Sequence, residues 1–264
     1  MLDNNVKVKV LTKHPVAIDS PDHKMPQGTM RDNSKNIRFN KKIYSLFNFT
    51  NPIKILDLGC SGGGFVKQSL DDGSLAIGLE GSDYSKKEKR AEWATLSDKY
   101  LFTADISKDF TIKYIDKEDQ EKDLQFDLIT LWDVFEHLSE KDLPQLIDNI
   151  KKHLLPSGLV IASISFSEVI INGVHLHQTV KEKKWWLELF GSNGLKHLKE
   201  YENYFNNQYI RGPKGNNAPF SFHVILSKNI SLKPKKPKVS LKDYFLDHWI
   251  SSKVQRKIKS FLKK

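Results

Sequence analysis

At 264 residues, 39% hydrophobic and 28% charged, the chain can bury a full core, which excludes an intrinsically disordered protein. No apolar run approaches the roughly 20 residues of a membrane span, and the start MLDNNVKVKVLTKH has no apolar secretory core, so the expected address is cytoplasmic. The net charge of +10 is carried by residues 228–264, where twelve Lys/Arg face only Asp243 and Asp247, leaving residues 1–227 neutral.

In chain order, residues 1–35 mix Pro15, Pro21, Pro26 and Gly28 with polar residues and predict an irregular arm. Residues 36–49 then place Ile37, Phe39, Ile43, Leu46 and Phe47 near helical spacing. Strand-like segments follow at 54–59, 75–80, 100–105, 126–132 and 158–165, separated by helical ones. The clearest helix is SEKDLPQLIDNIKKHLL, with Ser139 as N-cap and Pro156-Ser157-Gly158 as stop. SFHVILSK, 221–228, reads as a late antiparallel edge strand. KPKKPK, 233–238, is a stiff basic linker, and 241–264 an amphipathic basic helix. The organisation expected is therefore an arm (1–35), an α/β domain (36–230) with a doubly wound, mostly parallel sheet and helices on both faces, and a basic linker and helix (231–264).

ILDLGCSGGGF, 55–65, runs a strand into a glycine-rich turn. Such a turn lets a ligand approach bare backbone. A nicotinamide fingerprint fails at Ser61, and a phosphate loop fails because no Gly-Lys-Ser/Thr follows. Cys60 reads as a small packed residue, and alone it excludes an internal disulfide. Glu80 and Asp105 close the next two strands. Asp57, Glu80 and Asp105 around one crevice repel a pyrophosphate and suit a cationic, ribose-bearing ligand such as S-adenosylmethionine.

With DLGCSGGGF, AIGLEGS, FTADIS, FDLITLWDVFEHL and HLLPSGLVIASIS in succession, residues 53–165 resemble the class I S-adenosylmethionine-dependent methyltransferases. The resemblance implies a seven-stranded sheet. It implies cofactor contacts at Asp57, Gly59, Cys60, Ser61, Gly63, Glu80, Gly81, Asp105, Ile106 and Trp132: the methionine end at Asp57, Gly59 and Gly63, the ribose at Glu80, the adenine at Asp105 and Ile106. Ser61 departs from the family's usual glycine, but a small residue still fits.

On the acceptor side, WDVFEHL supplies Asp133, Glu136 and His137, with histidine the natural base near neutral pH. These three, with His175 or His177 from GVHLHQT, also resemble the cation-binding run of some ubiquinone-pathway O-methyltransferases and small-RNA 3′-end methyltransferases. That resemblance implies a divalent cation such as magnesium at Asp133, Glu136, His137 and His175. HLHQTVKEKKWWLELFGSNGL, 175–195, resembles a segment of saccharide and secondary-metabolite methyltransferases, while Trp185 and Trp186 there read as core or as a substrate platform. The leading expectation is O-methylation of a small or saccharide-like acceptor, with His137 or His175 near the hydroxyl. Alternatives are an RNA methyltransferase using the basic tail, or attachment of residues 231–264 to an anionic membrane or partner. The arm at 19–33 is expected to fold over the crevice as a lid. Oligomeric state stays open.

Overall fold

A computed structural model of the chain describes residues 6–48, 52–116, 118–213 and 218–249. Its strands are β1 (Lys7–Thr12), β2 (Lys54–Leu58), β3 (Leu75–Glu80), β4 (Leu101–Thr103), β5 (Phe110–Ile115), β6 (Glu121–Asp123), β7 (Phe126–Trp132), β8 (Leu154–Ser165), β9 (Ile170–Ile171), β10 (Val174–His175), β11 (Lys196–His197) and β12 (Ser221–Ser227). The helices are α1 (Pro21–Lys24), α2 (Gln27–Arg31), α3 (Ile37–Leu46), α4 (Gly64–Asp71), α5 (Tyr84–Lys87), α6 (Trp93–Leu96), α7 (Leu143–His153), α8 (Lys183–Ser192), α9 (Lys199–Phe205) and α10 (Leu241–Trp249).

The seven-stranded sheet runs β11-β12-β8-β7-β2-β3-β4. The five strands from β8 to β4 are parallel, and β12 lies antiparallel on β8, Leu226 opposite Val160 and Ser221 opposite Ser165. This is the doubly wound sheet expected, and the late strand is antiparallel as expected, but it is not the edge: β11 pairs beyond it, Lys196 opposite Ser227. The parallel strands are buried along almost their whole length, so they read as continuous apolar runs rather than alternating ones. The spatial order leaves β2 between β3 and β7, which opens a crevice at the C-terminal ends of these strands.

Three further sequence expectations are corrected. The arm is ordered: KVKVLT forms β1, which pairs antiparallel with β5 in a separate β1-β5-β6 sheet, Val10 opposite Ile112. The lysine/valine alternation outweighs the prolines, which all lie after it. The expected 139–155 helix spans only Leu143–His153, with Asp142 in place of Ser139 at its N-cap. Pro144 fixes the helix start, because a residue without an N–H is best tolerated in the first turn. β8 begins at Leu154, so Pro156-Ser157-Gly158 lies inside a strand instead of ending the helix.

α3 forms as expected, with the Asn36 side chain accepting from the N–H groups of Arg38 and Phe39. Phe39 is fully buried against Phe65, Trp132 and Phe205, with centroids 5.8, 5.2 and 5.6 Å away. The core thus reaches the crevice floor through Trp132. Among the described residues no helix is long and apolar enough to cross a membrane. The expected 241–264 helix is present over 241–249 as α10, and the part expected from residue 250 on lies outside the described residues.

Candidate active site

The glycine-rich turn between β2 and α4 is shaped by the protein's own packing. At Gly59, φ is +76° and an added Cβ would lie 2.5 Å from Val134 Cγ2; at Gly63, φ is +82° and it would lie 2.6 Å from Leu101 Cδ1. Ser61 also adopts the left-handed region, φ +48°. Its atoms explain how it replaces glycine. The N–H donates to Glu80 Oε2 at 2.7 Å, the carbonyl accepts from Trp93 Nε1 at 2.7 Å, and the hydroxyl donates to the Asp32 carbonyl at 2.9 Å. The turn is thereby fastened to both the sheet and the arm.

A crevice of about 640 Å³ lies over these strand ends, within the range of small-molecule sites. Gly59, Ser61, Glu80, Gly81, Asp105, Ile106 and Trp132 line it; Asp57, Cys60 and Gly63 do not. Asp57 is buried behind the wall and accepts from the Thr130 hydroxyl at 2.7 Å. Burial raises its carboxyl to about 7, and the nearby Asp32 and Glu80 charges add to this. Cys60 packs against Gly78, and burial holds its thiol well above the ordinary range. Glu80 is buried at the crevice edge, accepting from the N–H of Ser61 and Ser82 and more weakly from the Thr29 hydroxyl. Burial raises its pKa against these donors. Asp105 Oδ1 caps the next turn through the N–H and hydroxyl of Ser107. Trp132 Nε1 is buried without a hydrogen-bond partner. Seven carboxylates face three Lys/Arg around the lining, so the cavity carries a negative field that favours a cation.

The arm roofs this crevice. Ala17 N–H donates to the Gly81 carbonyl at 2.9 Å, Asp105 N–H to the His14 carbonyl at 2.8 Å, and Arg90 to the Asp32 carbonyl at 2.6 Å. From α1, Asp22 Oδ2 lies 2.6 Å from His137 Nδ1 on the crevice wall. Burial works to lower the His137 pKa, but the Asp22 carboxylate, with the charges of Glu136 and Asp133, carries it up to about 9.

Asp133 serves a different role from the one expected. Its Oδ2 is paired with Arg211, and its Oδ1 accepts from the hydroxyls of Ser163 and Ser221. Arg211 reaches on to Asp32 at 3.4 Å. Asp133 therefore ties β7, β8, β12 and the arm together. Glu136 is fully buried: Oε1 accepts from Ser165 N–H at 2.9 Å, whereas Oε2 has no hydrogen-bond partner. Burial, with Asp133 nearby, pushes its carboxyl up to about 8. His177, not His175, joins this group. The His177 ring stands edge-on to His137 at 4.7 Å, and ligand atoms of Glu136, His137 and His177 all lie within 4.8 Å of one another. His175 is exposed on β10 and off the crevice. Trp186 is fully buried against Phe135 and Phe190, and neither it nor Trp185 lines the crevice, so the tryptophan pair is core rather than platform. Asp22 and Arg211 had no signal in the sequence; His177 had one in the histidine pair of GVHLHQT.

A family described as a methyltransferase domain matches residues 31–211. No curated protein matches the chain in sequence. Among solved structures, the chain is similar to 1,6-didemethyltoxoflavin-N1-methyltransferase from Burkholderia thailandensis, at 13% identity and TM-score 0.51, covering 87% of this chain and 98% of that one. It is also similar to an S-adenosylmethionine-dependent methyltransferase from Clostridium acetobutylicum, at 12% identity and TM-score 0.50, covering 78% and 97%. The family match across more than half of the chain, on a sheet of this order, establishes that the protein belongs to the methyltransferase-domain family, among the class I S-adenosylmethionine-dependent methyltransferases.

Proposed function

We propose that the protein transfers a methyl group to a hydroxyl of a small, saccharide-like acceptor, with His137 as the group that takes the proton. The Asp22–His137 pair on the crevice wall carries this reading. A carboxylate 2.6 Å from Nδ1, though without hydrogen-bond geometry, stabilises the charged ring, leaving Nε2 as the basic nitrogen for an acceptor.

When bound, S-adenosylmethionine supplies an electrophilic methyl on a cationic sulfur. The residues present fit it. Glu80 would accept from the ribose hydroxyls, Gly59 and Ser61 would border the methionine end, Gly81 and Trp132 would flank it, and Asp105 with Ile106 would meet the adenine. Asp57, Cys60 and Gly63 act from behind the wall by holding the turn. The excess of carboxylates suits a cation. On the acceptor side, Ser165, Ser167, Gln178 and Ser221 offer hydrogen bonds and Phe220, 58% exposed, offers a ring face; this mixture supports a polyhydroxylated acceptor. The arm at 19–33 acts as a lid that excludes water and brings Asp22 to His137.

A second reading is favoured by the unpartnered Glu136 Oε2 beside His137 and His177. An oxygen and two imidazoles suit a divalent cation, which would polarise the acceptor hydroxyl. Asp133, committed to Arg211, and the exposed His175 stand outside that donor set.

His137→Ala separates these roles. We expect turnover to fall on the order of 10²–10⁴-fold, with S-adenosylhomocysteine affinity unchanged by calorimetry. Wild-type turnover unaltered by chelation and magnesium addition would remove the cation reading. Transfer to amines or RNA but to no hydroxyl compound, across a panel of sugars, amines and oligonucleotides, would overturn the proposal.

A further inference from the structure

We propose that residues 230–245 form a fixed docking face for an anionic lipid membrane. An amphipathic helix on a globular protein ordinarily turns its apolar stripe inward. Three apolar residues at the start of α10 do the reverse. Leu241, Tyr244 and Phe245, at i, i+3 and i+4, share one face and are 79%, 50% and 58% exposed. Ile230, Leu232 and Val239 in the preceding segment are exposed too.

The helix is held to the body through a polar residue. The Asp247 side chain is fully buried, paired with Arg38 and, at 2.7 Å, with Lys42, both from α3. Gln208 donates to the Asp247 carbonyl at 3.0 Å. The preceding linker is pinned as well: Tyr201 donates to the Pro234 carbonyl, and Lys236 donates to the Glu200 carbonyl at 3.0 Å. The segment is thus bound at several points, while Leu232, Leu241 and Phe245 stay more than half exposed.

Charge selects the occupant. Lys233, Lys235, Lys236, Lys238 and Lys242 are interleaved with these apolar residues, and Asp243 is the single acid between 228 and 246. Lysines around a short apolar stripe match a surface that is anionic at the headgroups and oily beneath, since their stems can follow the apolar layer while the ammonium groups stay in water. No arginine occurs from 228 to 249, where all six Lys/Arg positions are lysine. A phosphate-backbone reader would more readily use the planar, bidentate fork of arginine. Apolar side chains that insert together with lysines that attract give the two signals a stable peripheral contact requires.

The test is co-sedimentation of the full chain with phosphatidylglycerol–phosphatidylcholine vesicles and with phosphatidylcholine vesicles. We expect binding to the mixed vesicles alone, weakening as salt rises. Replacing Lys235, Lys238 and Lys242 together by Gln should weaken it on the order of a hundredfold, about fivefold per lysine. The double variant Leu241→Asp, Phe245→Asp should abolish it without moving the melting temperature, because both side chains are exposed. No binding to anionic vesicles at low salt would overturn the proposal. So would wild-type binding by the Asp double variant, which would leave only non-specific attraction. Single-stranded RNA that displaces the protein from vesicles at equal charge concentration would assign the surface to nucleic acid instead.

Discussion

Around Glu80 the crevice wall comes from the ends of consecutive strands and the turns that follow them, within residues 59–107, with the arm as its roof. Around His137 it is assembled from α1, the turn after β7, the loop at 165–178 and the segment around Arg211 and Phe220. The first region is dictated locally, with glycines and acids at fixed offsets from apolar strands. The second exists only once the whole chain has folded, and its central contacts join Asp22 to His137 and Arg211 to both Asp133 and Asp32. In a fold whose chemistry begins with one donor, the part that holds the donor can stay local. The part that chooses the acceptor can change by altering distant loops.

The contrast is broken most directly at Glu80. Glu80→Ala removes a buried carboxylate already oriented by two backbone N–H groups. Two charge-assisted hydrogen bonds to the ribose, about 1.5–3 kcal/mol each, would be lost, so we expect S-adenosylhomocysteine to bind at least a hundredfold more weakly by calorimetry. Unchanged affinity in a folded variant would refute a donor region organised by local strand ends.

The acceptor region is tested at Asp22. Asp22→Asn keeps the size of the side chain but removes the charge that raises His137. A base with its pKa near 9 is neutral in about one molecule in a hundred at pH 7, so wild-type turnover should climb until about pH 9. In the variant the climb should move toward neutral pH, and turnover at pH 9 should fall roughly tenfold as the ring loses its orienting partner. An unchanged profile of kcat against pH would separate His137 from proton transfer.

Legibility in the sequence followed the same division. The five parallel strands, the antiparallel β12 and the acids at strand ends were readable because burial on both faces writes unbroken apolar runs and glycine marks the turns. β1 was missed although its lysines and valines alternate, because the prolines that follow dominated the reading. The choice of His175 over His177 was open in principle: residues two apart share a face of a strand, so period two does not separate them, and the strand ends at His175, leaving His177 on the loop that follows. Asp133 read as chemistry because nothing nearby in sequence announces Arg211, 78 residues on. The glycines read as room for a ligand, and at Gly59 and Gly63 the room is also taken by Val134 and Leu101.

Asp57 gives the smallest effect and asks whether the local region bears a cost of its own. Its carboxyl is buried behind the crevice, held by the Thr130 hydroxyl, and raised to about 7, first by burial and then by the Asp32 and Glu80 charges. An unfolded aspartate titrates near 4. Between about pH 4 and 7 the folded chain therefore keeps a proton that the unfolded chain has released. The stability this provides is complete below pH 4, declines as pH rises through 7, and is absent above. Asp57→Asn keeps an oxygen for Thr130 and removes the titration. We expect the variant to melt several degrees higher than wild type at pH 8, at roughly 2–4 °C per kcal/mol for a chain of this size, and to show little gain at pH 4. An equal shift at both pH values would mean that the buried carboxylate carries no linked proton, and that the first strand end holds its acid at no cost.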